Sequence, residues 1–226
     1  MSKNNTPETG NKIDELNESL TGASRKIQDN KNMIMWVICI VIAAGLVVAA
    51  YFYFFKAPAD EKAFNAYGSV EVANAAANDT VKAEAYKKVS DQYDGTDAGN
   101  LAALEAAEHY YDAGNYQEAL KYVERFHTKD EVLRANVSIL RGDCYVNLKK
   151  YDQAISEFEK AASESEGNSE IQPRALMKEA TVYEAQNKAA KALEIYQRIQ
   201  KDYPDFTMAG LPIDAYVERA KARTGK

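Results

Sequence analysis

Hydrophobic positions are arranged in two different ways along the chain. From Met33 to Phe55 the sequence runs for 23 residues without a charge or a proline. Beyond Asp60, apolar residues recur every three or four positions among alanines and frequent charges. A continuous apolar run of that length spans roughly 34 Å as an α-helix, enough to cross the hydrocarbon core of a bilayer with some tilt. The recurring pattern is that of helices with one buried stripe, and no stretch shows the period-two alternation of strands. The prediction is therefore an all-α chain with one membrane-spanning helix over 33–55, preceded by a polar tail over 1–32.

The ends of the apolar run agree with a membrane span. Trp36 stands near one end and Tyr51, Phe52, Tyr53, Phe54 and Phe55 crowd the other, where amphipathic rings settle at the headgroup layer. Ala57-Pro58-Ala59 has the look of a signal-peptidase site, but the run is longer than a signal core and follows too long a polar segment for cleavage. Cys39 lacks the small residues before it that lipidation would want. Arg25, Lys26 and Lys31 before the helix, against Lys56 and Lys62 after it, place the N-terminus in the cytoplasm by a thin margin. In the tail, Ile13, Leu16, Leu20, Ala23 and Ile27 would line one side of a short helix, interrupted by Gly22. Gly45 and Ala49 form a small-xxx-small pair of a kind common by chance.

Internal repetition organises the rest. Tyr110 and Ala119, Tyr145 and Ala154, and Tyr183 and Ala192 each pair an aromatic with an alanine nine positions later, across a polar turn. Phe158 and Tyr196 follow the second and third alanines by four residues, and Ala161 and Ile199 come three further on. The copies are 35 and then 38 residues apart, and Tyr86, Val89 and Tyr93 repeat part of the pattern earlier.

On these residues the segment resembles the tetratricopeptide repeat, a roughly 34-residue antiparallel helix pair. The best copy is ANVSILRGDCYVNLKKYDQAISEFEKAA, Ala135 to Ala162, where Gly142, Tyr145, Tyr151, Ala154, Phe158 and Ala161 fall on motif positions. Ser138 and Arg141 stand where a bulky apolar pair is usual, and Ala189 replaces an aromatic. The resemblance implies a right-handed superhelix of about three and a half helix pairs over 82–204, after a linker and first helix over 56–81. A capping helix is expected within 205–226, with Ile213, Tyr216, Val217 and Ala220 on one face. The expected packing residues are Tyr110, Ala119, Gly142, Tyr145, Ala154, Phe158, Ala161, Tyr183, Ala192 and Tyr196. In the resembled family the first helix of each pair lines a protein-binding groove, which here implies Leu104, Glu108 and Tyr111, then Ile139, Asp143 and Asn147, then Met177, Thr181 and Glu184.

The layout of short tail, single apolar helix and repeat domain is also similar to that of the ancillary subunits of the bacterial Sec translocon. Asp91-Gln-Tyr-Asp-Gly-Thr-Asp-Ala-Gly-Asn-Leu-Ala102 ahead of the repeats resembles the Bacteroidetes branch of those proteins. That likeness implies a single-pass inner-membrane protein with its C-terminal domain in the periplasm. Translocon subunits and a membrane-anchored prolyl isomerase would be its partners. A scaffold for another cell-envelope assembly is the alternative.

Charge and chemistry narrow the function further. The 226 residues carry 28 Lys and Arg against 34 Asp and Glu, a formal net charge of −6. No basic block is present, which argues against a nucleic-acid surface. Cys39 and Cys144 make no disulfide framework, and His109 and His127 lack the neighbours of a local metal site, so no metal or cofactor is expected. Phosphate-loop, nucleophile-elbow and zincin motifs are absent. Glu105 and Glu108, or Glu157 and Glu159, read as solvated helix faces. Asn78-Asp-Thr80 and Asn136-Val-Ser138 match a glycosylation acceptor by form only. The expectation is a non-enzymatic protein-binding scaffold.

Overall fold

The computed structural model describes Thr21, Gln28 and residues 30–225. The amphipathic reading of the tail, on Ile13 to Ile27, lies outside the described residues. The chain divides after Pro58 into two units.

In the first unit, α1 (Lys31–Tyr51) leads into a five-residue π-helical turn at Phe52–Lys56. Its side chains are almost all exposed and none is buried against protein. Among the described residues this is the helix long and apolar enough to cross a membrane.

The second unit consists of antiparallel helices: α2 (Ala57–Ala73), α3 (Asp79–Gln92), α4 (Asp97–Asp112), α5 (Tyr116–Val123), α6 (Glu131–Asn147), α7 (Tyr151–Glu164), α8 (Ile171–Ala185), α9 (Ala189–Asp202) and α10 (Ile213–Thr224). Three helices start on a side-chain cap. Asn78 Oδ1 accepts from Val81 N–H at 3.0 Å, Thr96 Oγ1 from Gly99 N–H at 3.0 Å, and Asp130 Oδ1 from Leu133 N–H at 2.9 Å.

The turns between paired helices reuse one backbone device. Asn115, Lys150 and Lys188 each donate their N–H to the carbonyl of Tyr110, Tyr145 and Tyr183 respectively, at 2.8 Å. The residue before each donor is left-handed: Gly114 at φ 79°, Lys149 at φ 59° and Asn187 at φ 59°. This is the Schellman closure of a helix, and it places the motif tyrosine where its carbonyl ends each first helix.

Two apolar clusters fill the stack. One gathers residues from Val70 to Cys144 and the other residues from Ala135 to Ala220. They meet in α6, which sends Val137 and Cys144 to the first and Ala135 and Ile139 to the second. Gly142 is needed there, because a Cβ at that position would collide with the ring of Phe158. Tyr110, Ala119, Ala154, Phe158, Ala161, Ala192 and Tyr196 are buried. Tyr145 and Tyr183, also expected to pack, are half-buried and lie against these clusters. Lysines cover the outer sides of their rings, Lys150 at 5.9 Å from Tyr145, and Lys188 at 5.9 Å and Lys191 at 5.0 Å from Tyr183.

The fold is all-α as expected, with one small addition. Between α9 and α10 lies a small antiparallel hairpin, β1 (Thr207–Met208) with β2 (Leu211–Pro212). Ala209 and Gly210 both have positive φ, at 51° and 76°, the signature of a type I′ turn that closes a two-residue hairpin. Tyr216 Oη donates to the Met208 carbonyl at 2.9 Å, and Ile213 N–H to the Phe206 carbonyl at 3.1 Å, fixing the hairpin to α10.

Candidate functional site

The first helices of three successive pairs, α4, α6 and α8, together line a groove of about 540 Å³. Leu104 and Glu108 of α4 form one wall; Leu133, Asn136, Val137, Ile139, Leu140 and Asp143 of α6 form the floor. Arg174 and Lys178 of α8 form the other wall, and Met208 of the hairpin closes one end. Sequence spacing explains the alignment. Leu104, Ile139 and Arg174 are successive members of one row, 35 residues apart, and Glu108, Asp143 and Lys178 are members of the next. The groove thus has an aliphatic base, an acid on one side and two bases on the other.

Part of the groove's charge is paired within the protein. Lys178 Nζ bridges to both oxygens of Asp143 at 2.8 and 2.9 Å. Burial pushes the Asp143 carboxyl up, and Lys178 opposes that shift. Arg174 donates from one terminal nitrogen to Asn136, while its Nε is buried with no protein acceptor. Glu108 has its carboxyl pushed up by burial, then by Glu105 and Asp112, with His109 opposing. The site offers apolar contact area and positioned charges, without a nucleophile set against a base. Cys144 lies beneath it as a buried thiol, raised to about 12 by burial and by Asp143, and so is not an activated nucleophile.

The residues expected in the groove divide into three groups. Leu104, Glu108 and Asp143 line it, and Ile139 serves as buried floor at 7% exposure. Tyr111 lies one turn beyond it, packed edge-on against Tyr116 at 5.5 Å, near exposed Asn147. The α8 residues are displaced. Met177 is 2% exposed and belongs to the core, Thr181 hydroxyl donates to the Met177 carbonyl at 2.8 Å, and Glu184 is bound by Arg219 at 3.0 Å and Arg223 at 3.2 Å of α10. The cause is the three additional residues between Tyr145 and Tyr183. Three residues are five-sixths of a helical turn, so a register carried forward from the turn tyrosines is rotated off the groove on α8, inward at Met177 and toward α10 at Glu184, while Thr181 stays exposed. Extending the 35-residue step from α4 and α6 would have found Arg174 and Lys178. Met208 carried no sequence signal, because it depends on the hairpin.

The two histidines stay outside the groove. His109 Nδ1 lies 2.9 Å from Asp79 Oδ1, and its ring stacks on Tyr86 at 5.8 Å between centroids. His127 is exposed at the end of a turn, where Asn100 bonds both its backbone N–H and its carbonyl at 2.9 Å.

A family model described as a tetratricopeptide repeat-like domain matches residues 27–128, and two tetratricopeptide repeat models match residues 104–169 and 174–205. No curated protein matches the chain. Among solved structures, a crystal structure of MamA protein is 17% identical, covering 74% of this chain and 83% of that one, with a TM-score of 0.56. A second MamA structure is 20% identical, with 65% and 79% covered and a TM-score of 0.53. The tetratricopeptide-like repeats of a kinesin light chain from Podosopora anserina are 14% identical, with 74% and 88% covered and a TM-score of 0.58. Identities this low establish a shared fold.

Proposed function

Since the chain is a tetratricopeptide-repeat protein, we propose that it is a protein-binding scaffold held at a membrane by α1, with the groove across α4, α6 and α8 receiving its partner. The observation that carries this reading is the groove itself, whose aliphatic floor and charged walls suit an extended peptide or a partner helix. The exposed apolar side chains of α1 support the tether, and the matched family span begins at residue 27, so that it takes in this helix together with the first repeats. Tethering raises the effective concentration of the groove near membrane-bound partners.

The compartment we infer is the periplasmic face of a bacterial inner membrane, with the work being secretion or periplasmic folding at the Sec translocon. The layout and the bias of Arg25, Lys26 and Lys31 support it. Affinity purification of the full-length chain in mild detergent, compared with a form lacking residues 1–56 exported to the same compartment, tests the assignment. Anchor-dependent recovery of translocon subunits and a membrane-anchored prolyl isomerase is the expected outcome. Recovery of a different envelope complex by both forms would replace the translocon with that complex.

A further inference from the structure

Away from the groove, α3 and α4 bring Asp79 together with His109 and Asp112, which are neighbours on α4 some 30 residues further along the chain. We propose that these residues form a binding site for a divalent transition-metal ion, with zinc as the best-matched species. One ligand atom from each, two carboxylate oxygens and an imidazole nitrogen, lie within 4.8 Å of one another. That donor set suits borderline ions, and three protein ligands with an open position is a common zinc arrangement.

The geometry is partly prepared. The His109 ring lies nearly parallel to that of Tyr86, at 8°, and Tyr86 is itself 2% exposed, so the imidazole plane is held before any ion arrives. Nδ1 faces Asp79 Oδ1 at 2.9 Å, a direct hydrogen-bond separation that a tetrahedral ion between them would widen to about 3.3 Å, a shift of a few tenths of an ångström. Asp79 is itself positioned at the first turn of α3, directly after its Asn78 cap. Asp112 is the exposed member and sits one turn after His109 on α4, so a rotamer change brings its carboxylate in. Occupation requires the neutral imidazole to carry its proton on Nε2, leaving the Nδ1 lone pair for the ion. An ion held this way joins the start of α3 to the end of α4 and leaves coordination positions for water or for a donor atom from a partner.

The test uses the full-length chain in detergent with cobalt(II) as a spectroscopic stand-in and zinc in competition. The expected result is one cobalt per chain, an absorption spectrum without thiolate charge transfer, and displacement by zinc. Asp112→Asn, at an exposed position, should weaken binding by at least the roughly 10–100-fold lost when an outer-shell partner of a metal ligand is removed. His109→Ala should abolish binding, and His127→Ala should leave it unchanged. At a fixed zinc concentration the melting temperature of the natural chain should also rise by more than that of Asp112→Asn. Equal affinity in the natural chain and in Asp112→Asn, or a cobalt spectrum dominated by thiolate, would overturn the proposal and leave Asp79 and His109 as a hydrogen-bonded pair between two helices.

Discussion

Lys149 holds a left-handed conformation at φ 59° in the turn where the first repeat uses Gly114. A side chain there costs about 1 kcal/mol that glycine avoids. Lys149→Gly should therefore stabilise the protein by about that amount in chemical denaturation, with the Lys150 contact to Tyr145 preserved. Gly142→Ala should act in the opposite sense. Its Cβ meets the Phe158 ring, and overpacking of this kind costs about 1–3 kcal/mol. A Phe158→Leu background should relieve part of the loss, so that the two changes are not additive. Glu179 supplies a pH-dependent case. It is 7% exposed, and burial, followed by the neighbouring Glu159, raises its carboxyl from 4.5 to about 7. The native state therefore holds this proton more tightly than the unfolded chain. Its contribution is fully present below about 4.5 and is lost as the pH rises through about 7. Glu179→Gln should remove that dependence and stabilise the protein above pH 7 by on the order of 1–3 kcal/mol, read from denaturation at pH 5 and pH 8.

At the scale of elements, the capping helix α10 is held by Ile213, Val217 and Ala220 in the core, by Tyr216 on the hairpin and by two arginines on Glu184. Glu184→Ala should cost about 1 kcal/mol, because both arginines remain partly solvated. Hydrogen exchange should quicken in α10 while α4 keeps its protection, since neighbouring contacts dominate in such stacks. The cap helix and the small residues of the repeat were readable from sequence because each obeys a short-range pattern. Ala154, Ala161 and Ala192 recur where helices approach closely, and Ile213, Val217 and Ala220 follow helical spacing. The hairpin was not readable. Its strands are two residues long, and the type I′ turn uses Ala209 where asparagine or aspartate would have given the signal.

Over the whole molecule, local pattern determines which helices form, and relative rotation of those helices determines the site. Leu104, Glu108 and Asp143 were readable because α4 and α6 keep a constant 35-residue step. Arg174 and Lys178 were missed because the turn tyrosines change step by three residues while the groove does not. Asp79 was missed as a partner of His109 because helix packing, and no sequence spacing, brings them together. The central claim is that the groove across α4, α6 and α8 is the partner-binding surface. The most direct measurement is photocrosslinking in cells with a benzophenone side chain placed at Leu104, at Leu133 or at exposed Ala190 on α9. The groove positions should give one discrete protein adduct that Leu140→Glu abolishes, and Ala190 should not give it. Adducts of the same kind from Ala190, or groove adducts that persist in Leu140→Glu, would contradict the account.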